Sequence, residues 1–449
     1  MRRSVPLALV AIISMLAACT SGGAGAGRGS SSQLSSGPVN VERYAQLLAM
    51  SDERRIDTAL MQGILRSGSS AERRAAALAI GQVHASVLAP TLRALLADGD
   101  TTVAGNAAYS LGQLADTGSI AALSNALDSP PSVAGNAAWA LGQIGEPARP
   151  AIVAALAPAS GARPARVRGA LLLATFLLKP VPVEVVRPWL RDTSSLVRWS
   201  AAYALARPYA SAGVRDLLPL ATDSSAETRA QVARAFSRRA AGDSLAPLVR
   251  DPLAKFATDP DPHVRINALR SLATYGAGGK AILIAATHDR DANVRVIAAQ
   301  EIGPVIESSR AAWMAAWKAD TGFMYRRSLL ASALSQDVVL PAAEMDEPDS
   351  WTHQGDWRLR ASVAEAGASA PTILRLREVS LPASRDPDPR VRAVAFAAMA
   401  PHADTADSHP WRREFMEYGL IDADVIVRAT AISSLEGHAT AAEVPLVLE

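Results

Sequence analysis

The sequence predicts an all-α fold, a solenoid of about twelve stacked two-helix repeats. Three observations carry this: the composition, a repeat period, and a fixed offset between acid and base. Hydrophobic residues make up 49% of the 449, but aromatics only 5%, and alanine dominates every segment. Alanine-rich apolar sequence at helical spacing builds closely packed helices and not a large aromatic core. The period shows in a set of anchor positions, usually branched or apolar, each followed by an alanine-rich run. They are Glu72, Val103, Val133, Val167, Val197, Thr228, Val264, Val294, Tyr325, Leu359, Val391 and Val427. Gaps between anchors run from 30 to 36 residues, the length of a helix pair. The residue after the anchor is Arg in ten of the twelve, and Asp stands six residues before that position in nine. Chance does not repeat such an offset.

The N-terminus comes first in the chain and is not part of this pattern. "MRRSVPLALVAIISMLAAC" has two basic residues, an apolar run from Val5 to Leu16, and then small residues. This is the layout of an export signal, too short to span a bilayer comfortably. "LAAC", Leu16 to Cys19, resembles the bacterial lipobox. The resemblance implies a signal peptide over 1–18 and lipid attachment at Cys19, which becomes the first mature residue. Cys19 is the only cysteine, so an intramolecular disulfide is impossible. Thr20 in place of Asp after the cysteine implies, by the same resemblance, the periplasmic face of the outer membrane. Residues 19–38, with "SGGAGAGRGSSSQLSSGP", form a Gly/Ser tether. A flexible chain of that length reaches about 25 Å. The folded part over 39–449 is therefore expected to hang from a membrane in the bacterial envelope.

Val39–Met50, "VNVERYAQLLAM", reads as an extra capping helix. Each repeat then reads as a first helix, such as "LAPTLRALLAD" (Leu88 to Asp98), a short turn holding the Asp, and a second helix starting at the anchor. In "VRINALRSLATYG", Val264, Ala268 and Leu272 share one face. Gly81, Gly112, Gly142 and Gly276 fall at or near the ends of second helices, where they are candidate C-caps. The last residues, "AAEVPLVLE", begin what reads as another first helix with no polar cap. Solenoids need one, so a further segment is expected in the intact protein.

This pattern resembles the HEAT-repeat family, in particular its short bacterial form related to phycobilisome-lyase repeats. The resemblance covers about 400 residues from Val39. It implies a right-handed α-solenoid whose second helices line the concave side, with an Asp–Arg ladder binding the repeats. Each Asp then bonds turn groups or an Arg of its own or the next repeat. Two neighbouring repeats break the pattern. "TVAGNAAYSLGQLAD" and "SVAGNAAWALGQIGE" put Ala104 and Ala134 at the ladder position while Asp98 and Asp128 remain. Both acids are expected to lack their in-repeat partner.

No catalytic constellation is found: no Walker loop, nucleophile elbow or HExxH. "HADTADSH" (His402 to His409) has the donors of a metal site but suits a solvated loop. No metal, cofactor or catalytic residue is assigned. Formal charge is +2, including Arg2 and Arg3, which offers no net basic surface to a nucleic acid. Trp313, Trp317, Trp351 and Trp357 gather where the repeats are least regular, either as core filling or as an aromatic contact surface.

Positions three, six and ten after the anchor share about 60° of helix surface. They place Asn106, Tyr109, Gln113, Asn136, Trp139, Gln143, Tyr203, Arg207, Arg234, Arg238, Asn267 and Arg270 in one stripe. Amides that can pair with a peptide backbone, flat aromatics and arginines suit an extended, partly acidic protein segment. The alternative is that the Asn amides bond neighbouring helices. The expected function is a membrane-tethered, non-catalytic scaffold for protein or peptide partners. Resemblance to HEAT-containing lipoproteins with a cyclophilin-type domain implies a second reading: the substrate-presenting arm of a prolyl isomerase whose catalytic domain lies outside this chain.

Overall fold

The computed structural model describes residues 39–157, 163–206, 208–302, 310–334, 355–368, 380–400 and 414–435. Among them every regular element is helical. No described helix is long and apolar enough to cross a membrane. The chain divides into two compact units, Met1–Leu220 and Ala221–Glu449.

In the first unit α1 (Val41–Asp52) caps the stack, with Asn40 as its N-cap. The repeats follow as α2 (Thr58–Ser67) with α3 (Ser70–Gln82), and α4 (Ala89–Leu95) with α5 (Thr101–Gln113). Next come α6 (Ile120–Ala126) with α7 (Pro131–Ile144), and α8 (Arg149–Ala155) with α9 (Ala165–Thr175). The second helix α10 (Ser195–Leu205) completes the series. Helices α3, α5, α7, α9 and α10 pack in sequence, each on the next. The expected cap is borne out: α1 lies on α3 and buries Leu47.

The second unit repeats the scheme. Its helices are α11 (Ala226–Ala235), α12 (Arg238–Phe256), α13 (Pro262–Ala273), α14 (Lys280–Ala286) and α15 (Ala292–Glu301). They continue as α16 (Arg310–Ala319), α17 (Phe323–Leu334), α18 (Trp357–Ala368), α19 (Pro389–Met399) and α20 (Val425–Leu435). The second-helix series here is α11, α13, α15, α17, α18, α19 and α20.

All twelve anchors are buried, including the polar Glu72 and Thr228. Glu72 is tolerated inside because it closes a capping box with Ser69 and faces Arg43 at 3.7 Å. Burying an unpaired carboxylate would cost several kcal/mol.

The ladder runs between repeats. In a rung the arginine donates from Nε and Nη2, or from one of them, to the aspartate of the following repeat. Seven such rungs are described: Arg73–Asp98, Arg168–Asp192, Arg229–Asp259, Arg265–Asp289, Arg295–Asp320, Arg360–Asp386 and Arg392–Asp422, at 2.7–3.1 Å. Towards its own repeat the arginine uses Nη1, which donates to a carbonyl of the home turn, that of Asp259 at 2.7 Å for Arg265 and that of Gly68 at 2.8 Å for Arg73. The aspartate also accepts the N–H two residues on, as Asp289 does from Asp291 at 2.8 Å. One side chain thus ties two turns and the start of a helix.

This corrects the expectation for Asp98 and Asp128. The carboxylate partner comes from the preceding repeat, so Asp98 is held by Arg73. Ala104 deprives only Asp128, which instead meets Arg163 at 3.0 Å and stays 69% exposed. Ala134 deprives no aspartate, because the next repeat has Ala162 at that place.

A second set of acids stands three residues before the anchor. Asp100, Asp261, Asp291 and Asp388 are N-caps whose carboxylates accept first-turn amides, each worth about 1 kcal/mol. The Arg390 guanidinium holds the Asp388 carboxyl down at about 2, and that of Arg392 holds Asp422 below its ordinary range. A carboxyl whose folded value is depressed stabilises above its unfolded value, near 4, and loses that stabilisation as pH falls through the folded value. The thermal midpoint of the chain is therefore expected to be flat from pH 5 to 8 and to fall between about pH 4 and pH 2. A midpoint independent of pH down to 2 would contradict the ladder's role.

Three of the four candidate C-cap glycines have another purpose. Gly81, Gly112 and Gly142 lie within second helices. A Cβ on Gly112 would stand 2.6 Å from the Trp139 ring and 2.7 Å from the Ala140 Cα. One on Gly81 would stand 2.4 Å from Gln113 Oε1. They let neighbouring helices approach. Of the four, Gly276 alone, with φ 57, has a positive φ, and it lies just past a helix.

Candidate functional site

Within the first unit the "VAGNAA" segments of α5 and α7 set the site. Asn106 and Asn136 occupy the same position on adjacent helices, and each side chain turns back to its neighbour. Asn106 Nδ2 donates to the Arg74 carbonyl on α3 (3.3 Å), and Asn136 Nδ2 to the Gly105 carbonyl on α5 (3.0 Å). The alternative reading of the Asn amides therefore holds for their N–H groups. Both Oδ1 atoms are left as acceptors, oriented by the bond the nitrogen makes.

One turn on, Tyr109 and Trp139 stack with centroids 4.5 Å apart and planes at 17°. Trp139 is only 7% exposed, so Tyr109, half-buried, carries the accessible aromatic face. Gln113 Nε2 donates to the Tyr109 hydroxyl at 3.2 Å. Gln113 Oε1 and Gln143 Nε2 are enclosed without a hydrogen-bond partner, which normally costs about 1–3 kcal/mol each. Gly135 lies beside Asn136, and a Cβ there would meet nothing within 4 Å. Mid-helix glycine costs about 1 kcal/mol relative to alanine, and no internal contact explains this one.

The rest of the stripe is less uniform. Tyr203 is 3% exposed and packs against Phe176 and Trp199 as core. Arg207 lies outside the described residues. In the second unit, Arg234 is exposed on α11. Helix α11 ends at Ala235, so Arg238 instead opens α12, where it pairs with Asp243 at 2.8 Å. Asn267 Nδ2 donates to the His263 carbonyl of its own helix (3.0 Å). Arg270 is exposed, and its charge partly offsets the burial that pushes the Glu301 carboxyl up.

Other sequence candidates resolve into structure. Trp317 is buried, with Arg326 over its ring at 4.6 Å. Trp357 is half-buried under Arg390 at 3.7 Å. Trp313, Trp351 and the His402–His409 segment fall where side chains are not described. No group of metal-ligating residues occurs among the described residues.

Sequence reasoning missed the serines that pin second helices together. Ser110 donates to the Ala77 carbonyl and Ser271 to that of Ala233, both at 2.7 Å, and Ser332 to that of Gln300 at 3.0 Å. All three stand seven residues after an anchor, a regularity that was readable. The α5–α7 surface offers oriented acceptors and a flat aromatic, which bind without making or breaking bonds.

HEAT repeats match residues 58–134 and 214–303, and the PBS lyase HEAT-like repeat matches 133–158. No curated protein sequence matches the chain. Among solved structures, Kap121p bound to Nup53p is 13% identical with a TM-score of 0.50, over 84% of this chain and 52% of that one. The chain thus spans about half the length of Kap121p. The complex of CpcE and CpcF of phycocyanin lyase from Nostoc sp. PCC7120 is 18% identical with a TM-score of 0.31, over 66% of this chain and 98% of that one. At these identities the Kap121p likeness establishes the fold: an all-α solenoid.

Proposed function

From a chain that carries HEAT repeats over 58–134 and 214–303 and the related lyase-type repeat over 133–158, we propose a non-catalytic binding scaffold. It takes an extended protein segment across the second helices of its first unit. The carrying observation is the pair of Asn106 and Asn136 side chains, each anchored through its nitrogen to the neighbouring helix, which leaves its oxygen as an acceptor. Packed helices stand about 8–10 Å apart. A segment in the polyproline II conformation repeats its N–H groups on one side every third residue, about 9 Å. Two such N–H groups meet the two oxygens, while Tyr109 covers an apolar side chain between them. The stripe is uncharged here, so the contacting face of the partner is uncharged as well. A protein of this fold solved with Nup53p supports a protein partner.

The test is binding of selected extended peptides to the whole chain by fluorescence anisotropy. Asn106→Ala and Asn136→Ala are each expected to weaken binding about fivefold, the loss of one hydrogen bond of about 1 kcal/mol. Asn267→Ala, which belongs to the second unit, is expected to leave it unchanged. Equal affinity in all three variants sinks the reading.

The same proposal includes a lipid tether at Cys19 holding the scaffold in the bacterial envelope, at the periplasmic face of the outer membrane. What supports it is the Leu16–Cys19 sequence behind a basic and apolar leader, followed by a Gly/Ser segment. Cys19→Ser is expected to move the protein from the membrane to the soluble fraction on cell fractionation. Retention in the membrane would count against the tether.

A further inference from the structure

The Asn106 and Asn136 amides form a row that stops one helix short. In each step, the side chain three places after an anchor donates to the carbonyl two places after the preceding anchor. Asn106 reaches Arg74 across 32 residues at 3.3 Å, and Asn136 reaches Gly105 across 31 at 3.0 Å. The next step would run from α9 to Gly135 on α7, and α9 packs directly on α7. Its donor position holds Ala170, whose methyl cannot donate. No side chain among the described residues gives a hydrogen bond to the Gly135 carbonyl. One helix further, the equivalent Ser200 turns to its own helix, with Oγ on the Leu196 carbonyl at 2.8 Å.

The glycines beneath the row are shaped for an amide. A Cβ on Gly105 would stand 3.1 Å from Asn136 Nδ2, so the bare backbone is what lets that carboxamide lie close against α5. Gly135 holds the same place, two residues after its anchor Val133. A Cβ there would meet nothing within 4 Å. Gly105 is buried, whereas Gly135 and Ala170 are half-buried. A glycine inside a helix weakens it, and in α5 the approach of an amide accounts for that cost. In α7 the chain provides the glycine but not the amide.

We propose that the bound segment supplies the missing member of the row. An Asn or Gln side chain of the partner donates its amide hydrogen to the Gly135 carbonyl, at or beside the residue whose backbone N–H meets Asn136. This pairing rests on the binding mode proposed above and gives it a sequence preference. A carboxamide is the group that the chain itself uses twice at this place. It is planar, so it lies flat on a glycine. It is also neutral, and the stripe has no carboxylate here to receive an ammonium or a guanidinium.

The test is peptide display against the full chain carrying Cys19→Ser, followed by fluorescence anisotropy of the selected peptides. Selection is expected to enrich Asn or Gln at one position. Replacing that residue by Ala is expected to weaken binding about fivefold, the loss of one hydrogen bond. In Ala170→Asn the chain completes its own row. That variant is expected to bind the Ala-substituted peptide within about twofold of the parent and to lose the preference for the carboxamide. Gly135→Ala places a methyl where the carboxamide would lie, and the preference is expected to fall there too. Far-ultraviolet circular dichroism confirms that both variants fold. No preference in the parent, a preference that survives in either variant, or an Ala170→Asn chain that binds both peptides equally poorly would each overturn the proposal. Sensitivity to Asn106→Ala and Asn136→Ala without a carboxamide preference overturns this specificity alone and leaves the scaffold standing. Insensitivity to both removes the two together.

Discussion

Arg265→Ala is expected to lower the stability of the second unit by about 3 kcal/mol, the usual cost of removing one partner from a buried ion pair. Arg265 is 4% exposed and is the most enclosed arginine of the ladder. The substitution removes the bonds to Asp289 at 2.9 and 2.8 Å. It also removes those to the Asp259 and Pro260 carbonyls at 2.7 and 3.1 Å. Asp289 keeps only the Asp291 amide, so a nearly buried charge loses its counterion. Arg390→Ala is the control, because that side chain is 53% exposed in its pair with Asp388. Exposed pairs are worth less than about 1 kcal/mol. Urea denaturation separates the two. Equal effects would mean that burial does not govern the ladder.

Gly112→Ala is expected to cost about 3 kcal/mol, the upper range for overpacking. Its new methyl would lie 2.7 Å from the Ala140 Cα and 2.9 Å from its Cβ. Ala140 belongs to the adjacent helix, so no side-chain rotation relieves the clash and α5 must move from α7. Gly135→Ala, in the same repeated motif, has open space. It is expected to stabilise by up to about 1 kcal/mol through helix propensity and a less flexible unfolded chain. Thermal unfolding should move the two midpoints in opposite directions. If Gly135→Ala stabilises and also weakens peptide binding, the open backbone there serves the partner.

Much of this was legible in the residues. The anchors, the helix pairs and the recurrence of Asp and Arg are one-dimensional regularities, set by helical periodicity and repeat length. The direction of the ladder was not legible. A repeated offset of six gives the same count whether an arginine meets its own aspartate or the next one. The bonds divide that choice, with Nη1 turned to the home turn and Nε–Nη2 to the following repeat. Only then does Ala104 leave Asp98 paired and Asp128 displaced.

The stripe shows the same limit. Tyr109, Trp139 and Tyr203 hold equivalent positions on their helices, yet Tyr109 is half-buried and the other two are almost enclosed. Equivalent angle on a helix gives equivalent direction, not equivalent cover, because cover depends on the size of residues on neighbouring helices. Arg238 left the stripe because α11 ends at Ala235.

What the sequence determined by itself is the repeating unit: where each second helix begins, which residue it buries, and that an acid and a base recur. Those follow from local periodicity, and all twelve anchors are buried as the period requires. The tertiary structure decided which repeats share a charge, which glycines separate helices and which amide oxygens remain free. Each depends on an approach between two helices about 9 Å apart, a distance that no spacing along one chain records.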